Sequence, residues 1–225
     1  MKTSRLLAAA AMVLCALLPA GCALFAGPEP KRQPDVSGIQ SILVLGFTDM
    51  TGVYGTGRQV KSPLSGKMFF TGTVEEGAAD FLTEKLAKFV EQSAYTLIPP
   101  EAVEGQRTSA LGTSTHPPTE RQLVLEIGRR ANADAVLAGY VYRFREREGT
   151  AYAVDNPASV AFDLYLLRTA DGRILWAGRY DETQQPLSEN LLKAPDFVKR
   201  GGRWVKVKRL AELGLAKMLE DFPEK

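Results

Sequence analysis

One histidine and two cysteines are the whole supply of soft metal ligands and strong nucleophiles in these 225 residues, and their positions exclude most chemistry. Cys15 and Cys22 both fall near the start, so the rest of the chain has no thiol for a disulfide, a zinc site or a nucleophile. His116 lies in GTSTHPP, where the following prolines impose extended geometry, and it has no second histidine to share a site with. It reads as a solvated loop side chain. A serine nucleophile lacks its Gly-x-Ser-x-Gly turn. Gly55 and Gly57 are not followed by the helix start that dinucleotide binding needs. Gly66 and Lys67 fail as a phosphate loop, because Lys61 and Met68 stand where Gly and Ser or Thr are required. Carboxylates remain: Asp163 and Asp181, both in strand-like stretches, are the candidates for hydrolysis of wall material if the fold joins them.

Binding is better supplied than catalysis. The glycine-rich stretch from Thr48 to Gly72 has no clear period and reads as a long loop, with or without a short hairpin inside it. Tyr54, Met68, Phe69 and Phe70 would give it apolar contacts for a partner. A second candidate surface is the basic run Lys199, Arg200, Arg203, Lys206, Lys208 and Arg209, interleaved with Phe197, Trp204 and Val207. It precedes and enters a helix start, where positive charge opposes the dipole, so either an anionic partner or a solvated face must account for it. Tyr140, Tyr142, Phe144, Phe162, Tyr165 and Trp176 read as sheet-face and core residues. No cofactor is implied.

The elements that must position these residues follow from periodicity. Ile39 to Phe47 is a short apolar, β-branched run, predicted as a central strand buried on both faces. Thr73 with Glu76 forms a capping-box pattern ahead of a helix from Val74 to about Ser93. A short strand at Tyr95 to Ile98 stops at two prolines, and a helical turn can follow at Glu101. Thr119 with Gln122 caps a second helix that runs to Asn132, a residue able to take the left-handed cap. Three strands are predicted at Ala135 to Glu146, Ser159 to Arg168 and Arg173 to Glu182, the last two joined through Ala170, Asp171 and Gly172. A final amphipathic helix spans Val205 to Phe222. The order implies an α/β fold with a single mixed β-sheet flanked by helices, parallel in its first half and antiparallel in its second.

The first 21 residues have the order of an export signal: Lys2 and Arg5, an apolar run from Leu6 to Leu18, then small residues. As a helix the run reaches about 20 Å, short of a membrane core. LPAGC at Leu18 to Cys22 resembles the lipobox of bacterial lipoproteins, which implies a diacylglycerol on the Cys22 thiol. Ala23 follows it in place of the Asp that favours inner-membrane retention, so the resemblance implies the outer membrane. Residues 22 to 38 then form a proline-rich tether about 40 Å long at most, leaving 39 to 225 as one periplasmic domain. Without Lys2 and Arg5 the charges balance at 26 basic and 26 acidic, and nothing suggests nucleic acid as a partner.

SILVLGF, VEEGAADFLTEKL, YTLIPP, RRANADAVLAGYV and SVAFDLYLLRTADGRILWAGRYDET together resemble the periplasmic lipoproteins with a fold like the TolB N-terminal domain. That group includes curli-secretion lipoproteins and outer-membrane lipoproteins that activate peptidoglycan synthases. The likeness covers roughly residues 39 to 182 and carries no catalytic residue with it. It implies a non-enzymatic binding or assembly module of the cell envelope with an envelope protein as partner. The alternatives are a peptidoglycan-synthase activator, a wall-directed hydrolase and a curli-type pore subunit. A pore would need Gly139 to Leu167 to face lipid, and the charges Arg143, Arg145, Glu146, Arg147 and Glu148 oppose that.

Overall fold

The computed structural model describes residues 34–103, 118–149, 154–184 and 204–225, all within one compact unit, Pro34–Lys225. Its centre is a sheet of five strands: β1 (Ser41–Asp49), β4 (Thr96–Ile98), β5 (Ala135–Arg145), β8 (Ser159–Arg168) and β9 (Ile174–Thr183), in the order β4-β1-β5-β8-β9. β1 runs parallel to β4 and β5, while β5, β8 and β9 pair antiparallel. This is the mixed sheet that the sequence predicts. Two separate two-stranded ribbons accompany it: β2 (Gln59–Lys61) with β3 (Met68–Phe70), and β6 (Glu148–Gly149) with β7 (Val154–Asn156).

Helices α1 (Ala78–Glu91) and α3 (Val207–Leu219) cover one face; α2 (Glu120–Arg130) and the β2–β3 arm cover the other. Leu82, Leu86 and Val90 of α1 join Val207, Leu210 and Leu215 of α3 over Leu137, Val141 and Phe162. On the opposite side Val124 and Ile127 of α2 meet Val60 and Phe69 of the arm over Val136, Tyr140 and Tyr165. Coverage on both faces explains why β5 and β8 are buried almost residue by residue, the pattern of central strands. Side chains cross this layer through gaps left by glycine. Gly214 of α3 makes room for the Tyr180 ring and Gly178 of β9 for Met218, a reciprocal fit that sets how α3 lies on the sheet edge.

The second helix start is as predicted: Thr119 and Gln122 exchange both capping-box hydrogen bonds, and Asn132 takes the left-handed conformation at φ 52°. The first is not. Thr73 to Glu75 is drawn into the sheet, where Phe144 N donates to Thr73 O and Glu75 N donates to Phe144 O. Glu75 also accepts from Glu146 N, so its side chain is spent on β5. The helix therefore begins four residues later than predicted, after Gly77 at φ 73°, with no side-chain cap. Pro34–Gly38, read as tether, belongs to the described unit: Val36 packs on the core and Arg168 donates to Asp35 O. No helix among the described residues is long and apolar enough to cross a membrane.

Candidate functional site

The arm leaves and returns to the sheet at β5. Met50 N donates to Val141 O, and Gly72 N donates to Tyr142 O, both at 2.9 Å. Between these roots the ribbon pairs Gln59 with Phe70, Val60 with Phe69, and Lys61 with Met68. Alternation along so short a ribbon separates two faces. Val60 and Phe69 turn in, whereas Gln59, Lys61, Met68 and Phe70 are exposed.

Phe69 corrects the sequence reading. It is 2% exposed and offers a partner nothing. Its ring lies parallel to that of Tyr142 with centroids 4.0 Å apart, and the Arg179 guanidinium sits 4.1 Å from its centroid. Tyr54 at 42% exposure and Phe70 at 57% do stand open, joined by Val53 and Met68. The other named contacts divide differently. Lys199, Arg200 and Arg203 lie outside the described residues, as do Cys22 and His116, while Trp204 is partly buried.

Beneath the arm is a polar cluster that the sequence reading missed. Asp163 on β8, 1% exposed, accepts from Tyr165 Oη at 2.6 Å and from Tyr142 Oη at 3.2 Å to each carboxylate oxygen. Tyr165 Oη is also 2.9 Å from Ser62 Oγ and 2.6 Å from Ser65 Oγ, both on the arm. The one phenol proton goes to Asp163, so the serines donate to the tyrosine, and a relay of hydroxyls joins the arm to the buried carboxylate. Burial pushes the Asp163 carboxyl up to about 6, against the pull of the Tyr165, Ser62 and Tyr142 hydroxyls. Burial raises both tyrosines as well, so they remain protonated donors. The cluster is a clamp: it gives the Ser62 and Ser65 hydroxyls of the arm a partner on β8. The period-two spacing of Asp163 and Tyr165 was the one sequence signal for it, since both must share a face.

Asp181 does not join Asp163. It pairs with Arg143 at 2.7 Å and Arg179 at 3.1 Å, and Arg143 also donates to Phe70 O at 3.0 Å, tying the arm edge to β5 and β9. Open depressions of about 410 and 490 Å³ lie by Arg129 and Arg168 and along β9 and α3, and neither includes Asp163. A glycan hydrolase needs its acid open to substrate, and Asp163 is 1% exposed. At α3, the basic N-terminus is offset by Glu146, whose carboxylate accepts from Val207 N at 3.2 Å. Lys208 sits 5.4 Å from the Phe81 ring, and Arg209 pairs with Glu212. The helix end thus has internal reasons for its charge.

No family model and no curated protein matches the chain. Among solved structures it is similar to the PelC dodecamer from Paraburkholderia phytofirmans, at 16% identity and TM-score 0.46, over 83% of this chain and 89% of that one. It is also similar to the LpoB C-terminal domain from Salmonella enterica, at 19% identity and TM-score 0.40, over 68% and 89% of the two chains. A third is lipoprotein GNA1162 from Neisseria meningitidis, at 13% identity and TM-score 0.41, over 72% and 98%. At these identities and TM-scores the alignments mark a likeness and assign no role.

Proposed function

We propose that this chain is a lipid-anchored, non-enzymatic binding module of the bacterial envelope, facing the periplasm from the outer membrane. Export through residues 1 to 21 and lipid on Cys22 supply the location, and the segment that follows supplies reach. The observation that carries the reading is the outer face of the arm. Val53, Tyr54, Met68 and Phe70 are its large apolar side chains left in water, the first two on the helical turn Thr51–Tyr54 and the last two on a ribbon whose inner face is clamped. A surface that loses apolar burial while its own backing is rigid is arranged for contact rather than for folding. The segment Lys199, Arg200, Arg203 and Trp204 is proposed as a second contact for the envelope partner.

The chain has no cysteine beyond Cys22, so single cysteines report cleanly. In the purified protein, Tyr54→Cys, Phe70→Cys and Lys217→Cys should all react with a maleimide. In native envelopes the first two should be shielded roughly tenfold while Lys217→Cys on α3 stays reactive, as expected of a contact that excludes water. Equal labelling of all three in envelopes would remove the arm as the contact surface.

A further inference from the structure

The charge on the arm is one-sided. From Met50 to Val74 there is no Asp or Glu, while Arg58, Lys61 and Lys67 are all exposed and form no ion pair among the described residues. The acidic residues on either side are occupied elsewhere: Asp49 accepts from Thr51 N and Oγ1, and Glu75 from Glu146 N. Lys61 stands opposite Met68 and Gln59 opposite Phe70, so cationic and apolar side chains share the same outward face. Val53 and Tyr54 are also exposed, on the single helical turn Thr51–Tyr54 at the start of the arm.

We propose that this face docks on the anionic phospholipid surface of the membrane to which the chain is anchored. The inference rests on the binding-module reading and names the occupant of the same surface. Three features favour a bilayer over a protein groove. Aromatic and methionine side chains interleaved with Lys and Arg suit the headgroup boundary, where ring and methylene enter the apolar region and the cation stays with phosphate. The ribbon is three residues long on each strand, few against the roughly 20–30 residues a side of a stable protein interface. A lipid on Cys22 already holds the domain near the bilayer, so a weak second contact acts at high effective concentration.

The test uses the chain from residue 22 onward with Cys22→Ser, so that no lipid contributes, and vesicles of phosphatidylglycerol with phosphatidylethanolamine or of phosphatidylcholine alone. Binding by sedimentation should occur to the anionic vesicles at low salt, fall with added salt, and be absent from phosphatidylcholine. Lys61→Glu with Lys67→Glu should weaken it roughly tenfold or more, and Phe70→Ser should weaken it at unchanged charge, with near-ultraviolet circular dichroism showing both variants folded. No binding to anionic vesicles, binding unmoved by the charge reversal, or equal binding to phosphatidylcholine overturns the proposal. If it fails while Tyr54→Cys and Phe70→Cys remain shielded in envelopes, the arm meets a protein and the binding-module reading stands.

Discussion

Phe69→Ala should cost the fold about 3–5 kcal/mol, whereas Phe70→Ala, one residue on, should change stability by no more than about 0.5 kcal/mol. The two side chains share a strand and differ in everything that sets stability. Phe69 is buried against Tyr142 and beside Arg179, and truncating it leaves a cavity where the arm meets β5. Phe70 is 57% exposed, so truncating it removes little buried surface. Denaturant titration of both variants checks the difference. Hydrogen exchange adds the location: in Phe69→Ala the amides of Gln59–Lys61 and Met68–Phe70 should lose protection before those of β5 and β8. Equal destabilisation by the two variants would mean that the ribbon faces are not assigned as described.

The second large effect is one of pH. Asp163 holds its proton more tightly in the fold, at about 6, than in the unfolded chain near 3.8. The native state therefore binds more protons between these values, and stability must fall as pH rises through the window. The contribution is complete below about pH 4 and gone above about pH 6, a loss of roughly 3 kcal/mol. Asp134 and Glu212 act with the opposite sign. The first is held down by Ser41 and Gln40 amides and the second by Lys85, so their contributions are present at neutral pH and lost as acid takes the system below their ordinary values. Wild type should thus be most stable near pH 4 to 5. Asp163→Asn keeps an oxygen for the Tyr165 hydroxyl and cannot ionise, so its stability should be nearly level from pH 5 to 7. A wild-type protein with no decline across that range, or a variant with the same decline, would show that Asp163 stays hydrated.

Local signals in the sequence were read faithfully where nothing distant competes. The box at Thr119 and Gln122, the left-handed Asn132 and the turn before Gly172 need only neighbours in the chain. The same box pattern at Thr73 failed because Phe144, some seventy residues on, claims the backbone on either side of Val74. Period-two alternation requires adjacent Phe69 and Phe70 to face opposite ways but cannot say which is inside. That choice is made by Tyr142 and Arg179. The clamp is less legible still, since Ser62 and Ser65 meet Tyr165 about a hundred residues away. Likewise the basic start of α3 looked unbalanced because its counter-charge, Glu146, comes from the end of β5.

The central claim is that the outward face of the clamped arm is where this chain meets the envelope. A photo-reactive amino acid in place of Phe70, activated in intact cells, tests it most directly, with the same substitution at Lys217 as comparison. The account predicts an adduct from position 70, identified by mass spectrometry as phospholipid where the face docks on the bilayer or as a protein where it does not, and none from position 217. No adduct from position 70, or the same adducts from both positions, would contradict it.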